Sequence, residues 1–195
     1  MAIWPINAKK QNVFFHSCPA HSLTEIRMGI FDIFNIHKNN GPAVKSAGAT
    51  FYPDKIVLET VDRIKDLYGV TSVNVTVLHS NADSALLGIT LRHHLEQSRD
   101  NIKKPKDIDD GYKQYLEAAG LRNIKEHYWN ALHLIISQED NVITLTPTRN
   151  GGPTGKTRGF ANSKEEPLIL DATVSDQDLG DAVLQGWAKC VCNYP

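Results

Sequence analysis

The stretch VTVLHSNADSALLGITLRHHLEQSR, residues 75–99, has a counterpart later in the chain in PLILDATVSDQDLGDAVLQGWAKC, residues 167–190. Each reads as a strand, a short polar turn and a helix that carries Leu-Gly in its first turns. Leu87-Gly88 and Leu179-Gly180 align at an offset of 92 residues (88 to 180), and in that frame Leu78 falls on Leu170. Few other identities survive, so what recurs is a pattern. Neither copy contains an arrangement suited to catalysis.

In the first copy Asp83 is placed as a helix N-cap, and Leu87, Leu91 and Leu95 form an i, i+4, i+8 ridge. In the second copy Ser175 caps, with Asp178 three residues on as a carboxylate version of the capping box. Leu179, Val183, Trp187 and Cys190 form the equivalent ridge. A glycine inside a helix costs about 1 kcal/mol against alanine. Gly88 and Gly180 are therefore expected to serve a close approach of each helix to the sheet it covers.

Outward from these units, residues 12–16 and 23–36 read as strands, the second apolar on both faces. Residues 37–49, with Asn40-Gly41-Pro42, read as a turn-rich connection, and Phe51-Tyr52-Pro53 as the end of a short extended piece. In residues 54–69, Ile56, Thr60, Ile64 and Leu67 repeat at helical spacing and Gly69 sits where a helix would stop. A helix is predicted there, although the Val57-Glu59-Val61 alternation leaves an extended hairpin open. Residues 73–78 alternate as a strand. The linker NIKKPKD, residues 101–107, precedes a helix over 109–119 that stops at Gly120. Strands over 132–136 and 142–146 form a hairpin through the Gln-Glu-Asp-Asn turn, and 147–167 reads as a long polar loop.

Composition narrows the function. At 195 residues the chain suits one domain, residues 1–195, with a core that needs no staples. A net charge of −1 removes the electrostatic footprint of a protein that grips phosphate backbones without sequence preference. No run of 18 apolar residues suggests a transmembrane helix, the first residues lack the apolar run of a secretory signal, and three cysteines are too few and odd for a disulfide framework. The expectation is a soluble cytoplasmic protein.

Several tempting motifs lose on context. NGGPTGKT, residues 150–157, has Asn150 where a P-loop needs its first glycine, and the residues after it lead to a strand rather than a helix. His93 and His94 are adjacent on a helix, so they point about 100° apart and do not chelate one ion. His16, Cys18 and His21 lack a second cluster, and Cys190-x-Cys192 is a weak soft-metal pair whose Cys190 reads as a buried thiol. No Gly-x-Ser-x-Gly elbow is present. No catalytic residue, metal ligand or cofactor site is assigned. Tyr112, Tyr115, Tyr128 and Trp129, beside Arg122 and Lys125, carry the alternative reading of a nucleic-acid-binding module over residues 112–129, though aromatic residues so placed are more often core or interface.

With those residues in view, the chain resembles the immunity proteins of bacterial contact-dependent growth inhibition (CdiI-like). The resemblance rests on Asp83, Leu87-Gly88, Leu91, Leu95 and Ser98-Arg99, and on residues 142–147, the polar loop, Ser175-Asp176, Leu179-Gly180, Val183 and Cys190. It covers about residues 73–190 and leaves the first 70 unplaced. It implies an α+β fold in α/β-type layers, with helices on a mainly antiparallel sheet. The two strand-turn-helix units fit that, since similar helix faces can cover one extended sheet. It also implies a non-enzymatic bacterial protein that forms a heterodimer with the cognate CdiA-type C-terminal toxin domain, often a nuclease. No cofactor and no membrane are implied, and nucleic acid is not expected as a partner.

Immunity proteins against nucleases often present an acidic surface, which speeds association with a basic toxin. Here such a surface must be local. The candidates are Asp107, Asp109 and Asp110, or Glu139 and Asp140, or Asp176, Asp178 and Asp181. An exposed strand edge accepting a toxin strand is the other possibility.

Overall fold

The computed structural model describes residues 43–64, 69–104 and 108–194, with no side-chain description for residues 108 and 109. Along the chain run β1 (Val44–Phe51), β2 (Lys55–Arg63), β3 (Gly69–His79), α1 (Ser84–Gln97), α2 (Ile108–Ala118), α3 (Ile124–Tyr128), β4 (Leu132–Glu139), β5 (Val142–Asn150), β6 (Phe160–Asn162), β7 (Leu168–Asp171), α4 (Asp176–Ala188) and β8 (Val191–Cys192). The described strands form one sheet in the order β3-β2-β1-β4-β5-β6, with β7 and β8 also paired to β5. The pairings are antiparallel except that of β8 with β5. This is the α+β architecture expected.

The helices lie on both faces. On one, Ala47, Ala49, Ile56, Leu58, Leu134, Ile136, Ile143 and Leu145 pack under Leu87, Leu91 and Leu95 of α1 and Leu179, Val183 and Trp187 of α4. Full burial of each large aliphatic chain contributes about 1.5–3 kcal/mol. On the other, Val57 meets Tyr115, Ala119 and Leu121 from α2 and its end, and Tyr128 from α3. Alternate residues of β2 therefore face two different cores.

That double cover explains a misread element. Residues 55–63 are strand, not helix, and seven of the nine are buried. A strand buried on both faces is apolar almost continuously, so it satisfies a helical period as readily as a strand period. The turn-rich reading of 37–49 is corrected too: Val44–Phe51 is a central strand, whose Ala and Gly positions lie beneath the helices or a neighbouring side chain. The long loop shortens as well. β5 continues to Asn150, β6 returns along it, and residues 151–159 are pinched shut by Gly151 N–H to Gly159 O at 2.9 Å and Gly159 N–H to Gly152 O at 2.8 Å. The helix α3 has no counterpart in the sequence reading. Asn123 caps it by accepting from the N–H groups of Lys125 and Glu126. The strands read at 12–16 and 23–36, and His16, Cys18 and His21, lie outside the described residues.

The repeat is structural. Its two strands stand at opposite sides of the sheet, β3 at one edge and β7 beyond β5, and both helices fold inward over the same face. Asp83 accepts from Leu86 N–H and Ser175 from Asp178 N–H, as the capping pattern requires. Where α1 and α4 meet, a Cβ on Gly88 would lie 1.8 Å from the carbonyl oxygen of Asp176, and one on Gly180 would lie 1.7 Å from that of Ser84. Ser84 and Asp176 are themselves equivalent in the repeat frame, so the contact is reciprocal. The expectation that these glycines admit the sheet is thus corrected: each admits the backbone of the other helix. Arg92 then locks α1 to the second unit, donating to Asp176 Oδ1 at 2.9 Å and to the carbonyls of Ala172 and Val174 at 2.8 Å each.

Gly88→Ala or Gly180→Ala should lower stability by about 1–3 kcal/mol, because overpacking outweighs the gain in helix propensity. Gly111→Ala on α2, where nothing lies within 4 Å of a new Cβ, should instead stabilise by up to about 1 kcal/mol. Thermal melts of the three variants check this. Stabilisation by alanine at either paired glycine would refute the reciprocal contact.

Candidate functional site

Of the three acidic groups, the structure brings two together at one end of the sheet. β4 and β5 are joined by Asp140-Asn141, with Asp140 at φ +50, a conformation Asp tolerates in a tight turn. Asn141 reaches across to the end of β7: its Nδ2 donates to Asp171 Oδ1 at 2.8 Å, and its carbonyl accepts from Ala172 N–H at 2.8 Å. Four residues beyond Ala172, α4 begins with Asp176 and Asp178 in its first turn. Glu139 and Asp140 therefore share an edge with Asp171 and with the N-terminus of α4.

These carboxylates are not equivalent. Asp176 is held by Arg92, Asp178 accepts from Ser175 Oγ at 2.6 Å, and Asp181 accepts from Ser84 Oγ at 2.5 Å and from Gln177. Hydrogen bonds from Ser84 hold Asp181 below the usual carboxylate range, and those from Thr173 and Asn141 do the same for Asp171. All three α4 carboxylates thus serve the scaffold as well as its surface. Glu139 and Asp140 are exposed and make no side-chain hydrogen bond or ion pair with the described residues.

Apolar surface lies beside them. Val142 pairs with Asp171 and Thr144 with Ile169, which sets Val142 and Ile169 on one face, diagonal to each other. They are 44% and 70% exposed, unusual for branched aliphatics next to a free acidic turn. Their face of the sheet is the one opposite α1 and α4. Sequence reasoning missed this pair, because an isolated Ile in a four-residue strand carries no signal of which way it points.

The third acidic group is elsewhere. α2 packs at the β3 side of the sheet, and Asp110 on it lies 3.8 Å from Lys113. Asp109 belongs to the same helix, and Asp107 lies outside the described residues.

The aromatic and basic stretch does not form a stacking platform. Tyr115 and Tyr128 are core residues, Tyr112 packs against them, and Arg122 is paired with Glu126. Of the four aromatics only Trp129 is open, at 53%. Bases need exposed ring faces to stack on, so the nucleic-acid reading of residues 112–129 loses its physical basis. The histidines there are structural. Tyr52 Oη contacts His127 Nδ1 at 3.2 Å and Thr50 Oγ1 contacts His133 Nδ1 at 2.9 Å, while burial pushes both imidazoles down to about 3. Cys190 is half-buried against the core, its thiol donates to the His133 carbonyl at 3.1 Å, and burial pushes it up to about 11. A thiol so placed is no nucleophile. Among the described residues no group of three or more His, Cys, Asp or Glu is arranged to hold a metal ion, and no helix is long and apolar enough to cross a membrane.

Among the described strands, one further strand lies at the edge of the sheet. β3 pairs there only with β2; it runs for eleven residues and exposes Val73 and Val77. Among the described residues its outer edge carries no paired strand.

Comparison with known proteins places this architecture. A Neisseria meningitidis protein of unknown function, NMB0488, is similar in structure, with a TM-score of 0.65 at 14% identity over 79% of this chain and 99% of that one. A CdiA-CT/CdiI toxin and immunity complex from Yersinia pseudotuberculosis is also similar, with a TM-score of 0.61 at 13% identity over 76% of this chain and 98% of the matched one. At those identities the likeness is one of fold. No curated protein matches the chain. The family described as CdiI, CDI immunity protein, matches residues 45–190, which takes in β1 and β2 as well as the segments that carry the resemblance. On that match, covering most of its length, the chain belongs to the CDI immunity protein family.

Proposed function

We propose that this protein binds the cognate C-terminal toxin domain of a contact-delivered, CdiA-type effector as a heterodimer and neutralises it in the bacterial cytoplasm, without catalysis. The family match over residues 45–190 carries this reading, and the likeness to a chain from a toxin and immunity complex supports it. The toxin we infer is a nuclease. A nuclease must present a basic surface to its substrate, and the free carboxylates of Glu139 and Asp140, with Asp171 beside them, complement such a surface.

On this reading the contact centres on the β4–β5 turn, where the acidic edge steers the encounter and Val142 and Ile169 supply desolvated contact. Asp176, Asp178 and Asp181 extend the same edge but are partly committed to the helix pair. Asp107, Asp109 and Asp110 are secondary candidates on the α2 side. The length of β3, and its place at the edge of the sheet among the described strands, favour a second mode, in which a toxin strand adds to the sheet there.

Co-expression of the toxin domain encoded beside this gene should be tolerated only with this protein present. Failure of that rescue would remove the reading. The double variant Glu139→Lys with Asp140→Lys should slow association by roughly tenfold at low salt, with a smaller effect as salt rises. Surface plasmon resonance measures both. An unchanged association rate would exclude the acidic edge, and loss of binding in Val77→Lys would then point to the β3 edge.

A further inference from the structure

A carboxyl group stands in the middle of the doubly covered strand β2. Glu59 is 4% exposed, and its side chain turns across Gly48, its partner on β1, where a Cβ would lie 2.4 Å from Oε1. Only glycine leaves that room. From above, α2 closes the space with Tyr115 and Tyr112, whose rings stack with centroids 6.0 Å apart. Tyr115 lies beside the carboxyl and favours its charged form, but its hydroxyl makes no well-formed hydrogen bond.

Among the described residues, four buried polar side-chain atoms are left without a partner: Glu59 Oε2, Tyr112 Oη, Tyr115 Oη and Ser46 Oγ. All four lie on the α2 side of the sheet. None lies on the α1–α4 side, where His94 is satisfied by Thr60 and Thr76. The imidazole of His127 from α3 sits edge-on to Tyr112, Tyr115 and Tyr128 and is kept neutral by burial. Beyond it, the titratable groups around Glu59 are phenols: Tyr115 and Tyr112 from α2, Tyr52 from the turn between β1 and β2, and Tyr128 from α3. Each phenol has its own ionisation pushed up, chiefly by burial and further by Glu59. Among the described residues no cation contributes to the balance at Glu59, and burial pushes its carboxyl up to about 7. A carboxyl so enclosed accommodates a proton far better than a charge.

We propose that Glu59 is a proton-operated latch for α2: the buried, protonated carboxyl holds the helix firmly on the sheet, and loss of that proton to solvent weakens the seating and makes lifting of the helix easier. Lifting uncovers Val57 of β2 and Val75 of β3, the edge strand among the described residues. The helix pair on the opposite face takes no part. Burial raises the carboxyl from its ordinary value, 4.5, to about 7, and the seated helix supplies part of that cover, so the seated state holds the proton more tightly than the lifted one. Seating is therefore strongest below about pH 4.5, weakens as pH rises towards 7, and levels off above that. Each pH unit within the window changes the lifting equilibrium by at most about tenfold.

Hydrogen exchange of the full chain between pH 5 and pH 8, corrected for the intrinsic rate, tests the latch. Protection of the α2 amides should fall by up to about tenfold per unit between pH 5 and 7 and level off above, while α1 and α4 show no matching change. Glu59→Gln, which keeps the shape and cannot ionise, should leave α2 protected throughout. Should that variant fail to fold, infrared difference spectra of the unaltered protein should show a protonated carboxyl band that titrates near pH 7. Protection of α2 that ignores pH, a pH dependence that survives Glu59→Gln, or the absence of that band would each overturn the latch. None of these outcomes depends on the toxin, so the latch and the proposed function fail separately.

Discussion

The close approach of α1 to α4 is the constraint on which the rest of this structure depends. Two helices that touch backbone to backbone cannot slide or roll without a clash, so Gly88 against Asp176 and Gly180 against Ser84 fix their relative position. Each helix is tied to a strand on a different side of the sheet, β3 for α1 and β7 for α4. Locking the pair therefore fixes the span of the sheet between them, and the six aliphatic or aromatic ridge residues all become buried beneath it. Arg92 adds a polar clamp from one side only. Its equivalent in the second unit, Leu184, is exposed.

The two faces of the sheet are built on different principles. Beneath α1 and α4 lies an apolar core whose few polar groups are hydrogen-bonded. Beneath α2 and α3 lies a layer of tyrosines, histidines and a carboxyl, several with hydrogen-bonding capacity unspent. Orphaned buried polar atoms cost about 1–3 kcal/mol each, and the four found among the described residues all lie on this side of the sheet.

Charge follows a similar logic. A chain with a net charge of −1 has no long-range field to speak of, yet it places free carboxylates where a tight turn meets the end of a strand and the start of a helix. Local charge of this kind acts within about a Debye length, on the order of 10 Å at physiological salt.

Much of this was legible in the residues. Asp83 and Ser175 marked their helix starts, the Leu87-Leu91-Leu95 ridge marked a buried face, and the offset between the Leu-Gly pairs marked a repeated unit, because capping and amphipathic spacing are local physics written in neighbouring residues. The same locality carried the family resemblance. What only the tertiary structure decided were relations between distant elements. β2 passed for a helix because its cover on two faces erased the alternation that identifies a strand. Tyr115 and Tyr128 could be read as core or as stacking residues, and only what packs above them settles that they are core. The glycines announced a close approach but not its object. That object is a second helix, brought from 92 residues away by the sheet both helices share, and no local pattern encodes which of two surfaces a gap in a side-chain row will meet.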